Sequence, residues 1–201
     1  MSLSTEKIVQ LNKDYTLFEW NMQGGYAPLP VDHAKGVYFW DTDGKRFIDF
    51  NSQLMSVNIG HGDQRITDAV VAQMQKLSYA NPYAATEARG VLGELLAKIT
   101  PGNLKKSFFT LGGSEANENA VKIARMASGK HKILARYRSY HGGTAMSMSL
   151  TGDPRRWASE PQPPGIMRIP DPYYYRSRLK LTEAEFMQEC LNQTEDVIKF
   201  E

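Results

Sequence analysis

The run Phe108-Phe109-Thr110-Leu111-Gly112-Gly113-Ser114-Glu115-Ala116-Asn117-Glu118 constrains the fold of this chain more than any other. Lys106 to Thr110 reads as a buried strand, Leu111 to Ser114 as a glycine-rich turn, and Glu115 to Met126 as a helix. A strand at Lys132 to Tyr137 follows, then the loop Ser139-Tyr140-His141-Gly142-Gly143-Thr144 and a helical or mixed stretch. Strands alternating with helices point to an α/β sheet covered on both faces.

The flanking segments fit around that unit. Residues 4–22 read as a short helix, broken by the loop Gly24-Gly25-Tyr26-Ala27-Pro28-Leu29-Pro30. A hairpin is expected from Gly36 to Asp41 and from Arg46 to Phe50, turning at Thr42-Asp43-Gly44-Lys45. Ile66, Ala69, Val70 and Met74 keep helical spacing after Gly60-His61-Gly62-Asp63. A further helix runs from about Thr86 to Ile99 and stops at Thr100-Pro101-Gly102. Residues 152–176, rich in Pro, Gly and Arg, read as a long irregular connection. Leu181 to Phe200 reads as a final helix opened by Thr182-Glu183-Ala184-Glu185. That helix reaches Glu201 with no Gly or Pro stop, so the sequence is expected to be a fragment of a longer chain. Met1-Ser2-Leu3 reads either as native sequence or as a scar of expression cloning, and carries no functional weight.

Composition narrows the function classes. With 41% hydrophobic and 23% charged residues the chain can bury a core, and no stretch approaches the roughly 18 apolar residues of a membrane span. A net charge of +2 with scattered basic residues gives no nucleic-acid face. Cys190 is the one cysteine, which excludes an internal disulfide, and no metal-ligand spacing is present. The start lacks an apolar signal region, so a cytoplasmic location is expected.

The glycine-rich turn suits a phosphate. The first N–H groups of a helix have no partner within it, and the helix dipole adds partial positive charge there. Glycines let the backbone approach an anion, and the Ser114 hydroxyl can add a hydrogen bond. Neither the P-loop nor the dinucleotide fingerprint is matched. The same residues also suit a plain turn with Ser114 as helix cap. Tyr140 follows a strand, where ligands of parallel sheets bind, so its ring could stack on a flat heterocycle or simply pack.

Several motifs together carry a resemblance. Phe109 to Glu118 resembles the class III aminotransferase turn, usually Ser-Gly-Ser/Thr-Glu-Ala, and Tyr140-His141-Gly142 is similar to that family's Tyr-His-Gly. The hairpin Gly36 to Asp49 and Val57-Asn58-Ile59-Gly60-His61-Gly62 also resemble family segments, in family order. The resemblance implies fold type I of the pyridoxal-phosphate enzymes, with an aspartate aminotransferase-like three-layer large domain, here incomplete, and part of a small α+β domain. Residues 1–58 would belong to the small domain and 59–201 would open the large one. It implies pyridoxal 5'-phosphate held by the Gly113 and Ser114 N–H groups, with Tyr140 stacked on its ring and His141 and Glu115 supporting the loops. It implies transamination between an amine or ω-amino acid and a keto acid such as pyruvate, in a homodimer. Ser78 to Tyr83 resembles a segment placed near the neighbouring subunit's site. An aminomutase or decarboxylase on the same cofactor, or an incompetent truncated module, remains an alternative.

The chain departs from the family pattern in three places. Gly112 stands where Ser is common. Met55 takes the position where several ω-transaminases carry a substrate-facing Trp, and a flexible thioether in place of an indole reshapes a pocket. Trp20 supplies the missing aromatic wall or fills core or interface. Third, no catalytic residue is assigned. None of the thirteen lysines sits in a Ser-Lys-Gly-like context after a strand, and the Asp-Glu-Val-like segment that pairs with the cofactor's pyridine nitrogen is absent. Lys122 and Lys132 read as a helix surface position and a strand entrance.

Overall fold

Hydrogen-bonding side chains at the element ends explain much of the architecture, which the computed structural model describes for residues 3–201. Of the leading Met1-Ser2-Leu3, the first two residues lie outside that range. The chain divides into two compact units, Met1–Thr86 and Glu87–Glu201.

In the first unit, α1 (Thr5–Tyr15) starts where the Ser4 side chain accepts from the Lys7 N–H. It is shorter than the helix expected over 4–22. Thr16 is extended and turns its hydroxyl onto the Asn12 carbonyl at 2.7 Å. The Gln23 amide then ties both backbone groups of Phe18, at 2.9 and 2.7 Å, into a loop.

The hairpin forms from β2 (Tyr38–Asp41) and β3 (Arg46–Ile48), with Phe39 opposite Phe47. The Asp41 carboxylate accepts from the N–H groups of Asp43 and Lys45 at 3.1 and 2.8 Å, and Gly44 takes the left-handed conformation the turn needs, φ 81°. A third strand, β1 (Val31–Lys35), completes an antiparallel sheet of order β1-β2-β3. It was not expected, because Val-Asp-His-Ala-Lys has little β preference. Pairing with β2 makes it a strand, and His33 stacks on its cross-strand neighbour Trp40 with ring centres 4.7 Å apart.

Beyond the hairpin, α2 (Ser52–Met55) is a left-handed helical turn with φ of 50°, 48°, 59° and 63° on four successive non-glycine residues. Such residues each lose about 1–2 kcal/mol relative to the right-handed form. A dedicated set of bonds holds the turn. The Met55 and Ser56 N–H groups reach the Asn51 and Ser52 carbonyls at 2.8 Å, and Asp49 Oδ1 accepts from the Gln53 N–H at 3.0 Å. Next, α3 (Gln64–Lys76) carries the apolar spacing read from the sequence and is capped by the Asp63 carboxylate on the Arg65 N–H.

The second unit opens with α4 (Glu87–Ile99) and continues with α5 (Gly113–Ser128), closed by Gly129 at φ 68°. Strands β4 (Ile133–Arg136) and β5 (Ile166–Ile169) pair in parallel, with α6 (Ala145–Leu150) between them in sequence. Val121, Ala135, Leu150 and Ile166 form the core of this unit, with Ile133 and Met146 packed against them. The last helix, α7 (Glu183–Phe200), has the capping box expected from Thr182 and Glu185 and buries Phe186 and Cys190.

Two expectations are corrected here. Lys106 to Thr110 is neither buried nor a strand: Phe108 and Phe109 are exposed, and no described segment pairs with it in a ladder. Residues 152–176 are not wholly irregular, since β5 lies within them, aligned by its ladder to β4 and by Arg125 bonding the His131 and Pro164 carbonyls at 2.8 and 3.3 Å. Among the described residues, no helix is long and apolar enough to cross a membrane.

Candidate cofactor site

The start of α5 is shaped by the turn before it. Gly112 is extended, and Gly113 and Ser114 form the first turn, whose N–H groups have no partner within the helix. The Glu115 carboxylate reaches back to the Leu111 N–H at 2.9 Å, and the Thr110 hydroxyl donates to the Gly112 carbonyl at 3.2 Å. A Cβ added at Gly112 or Gly113 would meet nothing within 4 Å, so the backbone there is open to a bulky anion.

The loop after β4 is locked onto this helix start. Ser114 Oγ accepts from the Gly143 N–H at 3.1 Å, and the Ser114 carbonyl accepts from the Ser147 hydroxyl at 2.9 Å. Asn117 donates to the His141 carbonyl at 2.7 Å, and Thr151 Oγ1 accepts from the His141 N–H at 3.1 Å. Gly142 sits at φ 129°, so close that a Cβ would lie 2.1 Å from Ser114 Oγ. Ser147 and Thr151 are both fully buried, and Thr151 Oγ1 also donates to the Ser147 carbonyl at 3.0 Å.

Glu118 joins the same scaffold. It accepts from the Met146 and Ser147 N–H groups at 2.8 and 3.4 Å, at the start of α6. Burial works to raise its pKa, but those bonds and one with the Thr144 hydroxyl outweigh it and hold the carboxyl below the usual range. Tyr140 is 36% exposed, and one ring face is covered by the Arg155 guanidinium, 4.0 Å from the ring centre. Asp153 holds that arginine, accepting from Arg155 Nε at 2.9 and 3.0 Å. The hydrogen bond between them raises the Arg155 pKa, keeping it charged.

The structure therefore brings Ser114 and the Tyr140 loop together, with Gly113 beside them. Trp20 and Met55 belong to the first unit, on separate segments, and are 65% and 75% exposed. Lys122 is exposed on α5, and Lys132 stands before β4 with an ion pair to Glu201 at 3.7 Å. The sequence reading overlooked Asn117, Glu118, Ser147, Thr151 and Arg155. Only Asn117 and Glu118 had a readable signal, standing one helical turn after Ser114 and so on its face.

A phosphorylated flat heterocycle fits this arrangement. The helix start offers free-facing N–H donors and positive potential, and Tyr140 offers an aromatic surface backed by a cation.

Comparison with known proteins agrees. The profile of the family described as aminotransferase class-III matches residues 21–201. An isoleucine 2-epimerase of Lentilactobacillus buchneri is 34% identical over 172 residues, covering 84% of this chain and 38% of the relative. The crystal structure of a thermostable (S)-enantioselective ω-transaminase from Thermomicrobium roseum superposes with a TM-score of 0.93 at 32% identity, over 99% of this chain and 47% of that one. A taurine:2-oxoglutarate aminotransferase from Bifidobacterium kashiwanohense, solved with PLP and glutamate, gives 0.92 at 34% identity, over 100% of this chain and 46% of that one. The chain thus spans less than half the length of each. With this helix start, this loop and a profile match over most of its residues, the chain belongs to the class III aminotransferases and has their fold type I architecture in part.

Proposed function

We propose that the protein carrying this chain is a pyridoxal-phosphate aminotransferase that moves an amino group from an amine or ω-amino acid to a keto acid such as pyruvate. The interlock of Ser114 with the Tyr140–Gly143 loop carries this reading, because it sets a phosphate cradle and a ring platform on one rigid support. The Gly113 and Ser114 N–H groups hold the phosphate, and Tyr140 orients the ring with Arg155 behind it. Bound there, the cofactor supplies the electron sink for the carbon that exchanges its amino group.

The remaining assignments belong to the same proposal. Residues 1–58 contribute to the small domain and 59–201 open the large one. Met55 and Trp20 line the substrate pocket, the assembly is a cytoplasmic homodimer, and the exposed Tyr79 and Tyr83 lie near the neighbouring subunit's site. The 201-residue chain alone gives no turnover, because none of its lysines takes the Schiff-base position.

The test uses the full-length protein. With pyridoxal phosphate it should develop a cofactor absorbance that borohydride fixes to the protein, and an amine donor should yield a new amino acid only when keto acid is present. A full-length protein lacking that absorbance overturns the reading. The similarity to an isoleucine epimerase favours a second reading, in which the same site rearranges a substrate without transferring its amino group. Keto acid dependence separates the two.

A further inference from the structure

The left-handed turn α2 is held by side chains that lie outside it. Asp49 is the centre of the tie: Oδ1 accepts from the Gln53 N–H at 3.0 Å, and Oδ2 pairs with His61 Nε2 at 2.7 Å. Both side chains are shielded, at 3% and 16% exposure, although the turn they restrain is open to solvent. His61 is itself fixed by the backbone, exchanging hydrogen bonds with Gly36 at 2.9 and 2.8 Å. Gly60, at φ 89°, packs so tightly on Gly36 that a Cβ would stand 3.1 Å from its carbonyl oxygen. The turn is thus clamped to the β1–β2 connection through one carboxylate and one imidazole. Asp49 and the turn also border a groove of about 530 Å³, whose lining includes Phe39, Ile48, Asp49, Phe50, Gln53 and Leu54.

We infer that Asp49 and His61 are positioning residues for donor selectivity: they hold the strained turn Ser52–Met55 as a fixed wall, so that Met55 and the neighbouring groove discriminate amine donors by the bulk of their side chains. The inference rests on the aminotransferase reading and on the pocket position given there to Met55. A short polar acceptor at position 49 is what the geometry needs, because it must stop one backbone N–H and one imidazole at once. Without it, the four left-handed residues lose one of the bonds that oppose their return to ordinary φ values.

The experiment compares the full-length holoenzyme with Asp49→Ala, His61→Gln and Asp49→Asn, using 1-phenylethylamine and isopropylamine as donors. In Asp49→Ala the ratio of kcat/KM for the two donors should change by about ten-fold or more, through KM for the aryl amine, since a wall misplaced by about 1 Å can cost on the order of 100-fold. His61→Gln should shift the ratio in the same direction by less. Asp49→Asn retains an acceptor for Gln53 and should restore the ratio to within about three-fold of the original. Amide exchange of Gln53 to Val57, measured by mass spectrometry without substrate, should accelerate in Asp49→Ala and stay slow in Asp49→Asn. An unchanged donor ratio in Asp49→Ala and His61→Gln, or unchanged exchange of the turn, overturns the inference. Should Asp49→Ala not accumulate, the comparison of His61→Gln with Asp49→Asn decides by the same ratio. The outcome that instead defeats the underlying reading is distinct: an unmodified holoenzyme that binds pyridoxal phosphate but transaminates neither these amines nor β-alanine, whereas one that uses β-alanine alone overturns only the inference.

Discussion

Gly142 has no room for a side chain, since Ser114 Oγ occupies the place a Cβ would take and the backbone is in a conformation reserved for glycine. Gly142→Ala must therefore push the loop off α5. The expected effect is a loss of stability of about 1–3 kcal/mol or more and release of the cofactor on dialysis; retention at the original level would contradict the interlock. Arg155→Ala is a milder probe, removing a cation from the back of Tyr140. It should weaken cofactor retention by about two- to five-fold, in line with about 0.5–1 kcal/mol for a solvent-accessible cation–π contact. At this scale Gly113, Ser114 and Tyr140 could be named from motif and position. Thr151, Ser147 and Arg155 could not, because each acts on a residue far away in sequence and nothing in its own neighbourhood announces that contact.

Elements whose ends are set by local bonds were the legible ones. The α7 start is an example: Thr182 and Glu185 satisfy each other's backbone N–H groups within one turn, so the sequence pattern is the structure. Thr182→Ala should reduce stability by about 0.5–2 kcal/mol in thermal unfolding. Elements that need a distant neighbour were misread. Phe108 to Thr110 has strand composition but no described partner, β5 was hidden behind Pro163-Pro164-Gly165, and α2 shows no glycine to betray its left-handed turn. The link between α5 and α6 through Glu118 yields a pH prediction. Its folded pKa lies below the ordinary 4.5, so its contribution is fully present above that value and is lost as pH falls through the lowered one. Stability measured across that acid range should decline more steeply in the original protein than in Glu118→Gln, which keeps an acceptor oxygen without the titration. Parallel slopes would remove Glu118 from this role.

Across the whole molecule, the buried apolar set is small beside the apolar surface left in contact with water. The second unit's core rests on Val121, Ala135, Leu150 and Ile166, whereas Phe50, Tyr83 and Leu111 are almost completely exposed, and α3 and α4 bury no residue. Amphipathic helices gain most of their stability from an apolar face packed on something else. Exposed apolar area of that kind marks surfaces meant to be covered. A net charge of only +2 adds little repulsion to keep such surfaces apart. The 201-residue chain prepared alone is therefore expected to bind the dye ANS strongly and to sediment as species larger than a monomer. A longer protein in which those faces are covered should do neither. A monomeric, non-binding 201-residue chain would mean that these helices are stable without burial, and the case for covering surfaces on α3 and α4 would fail with it.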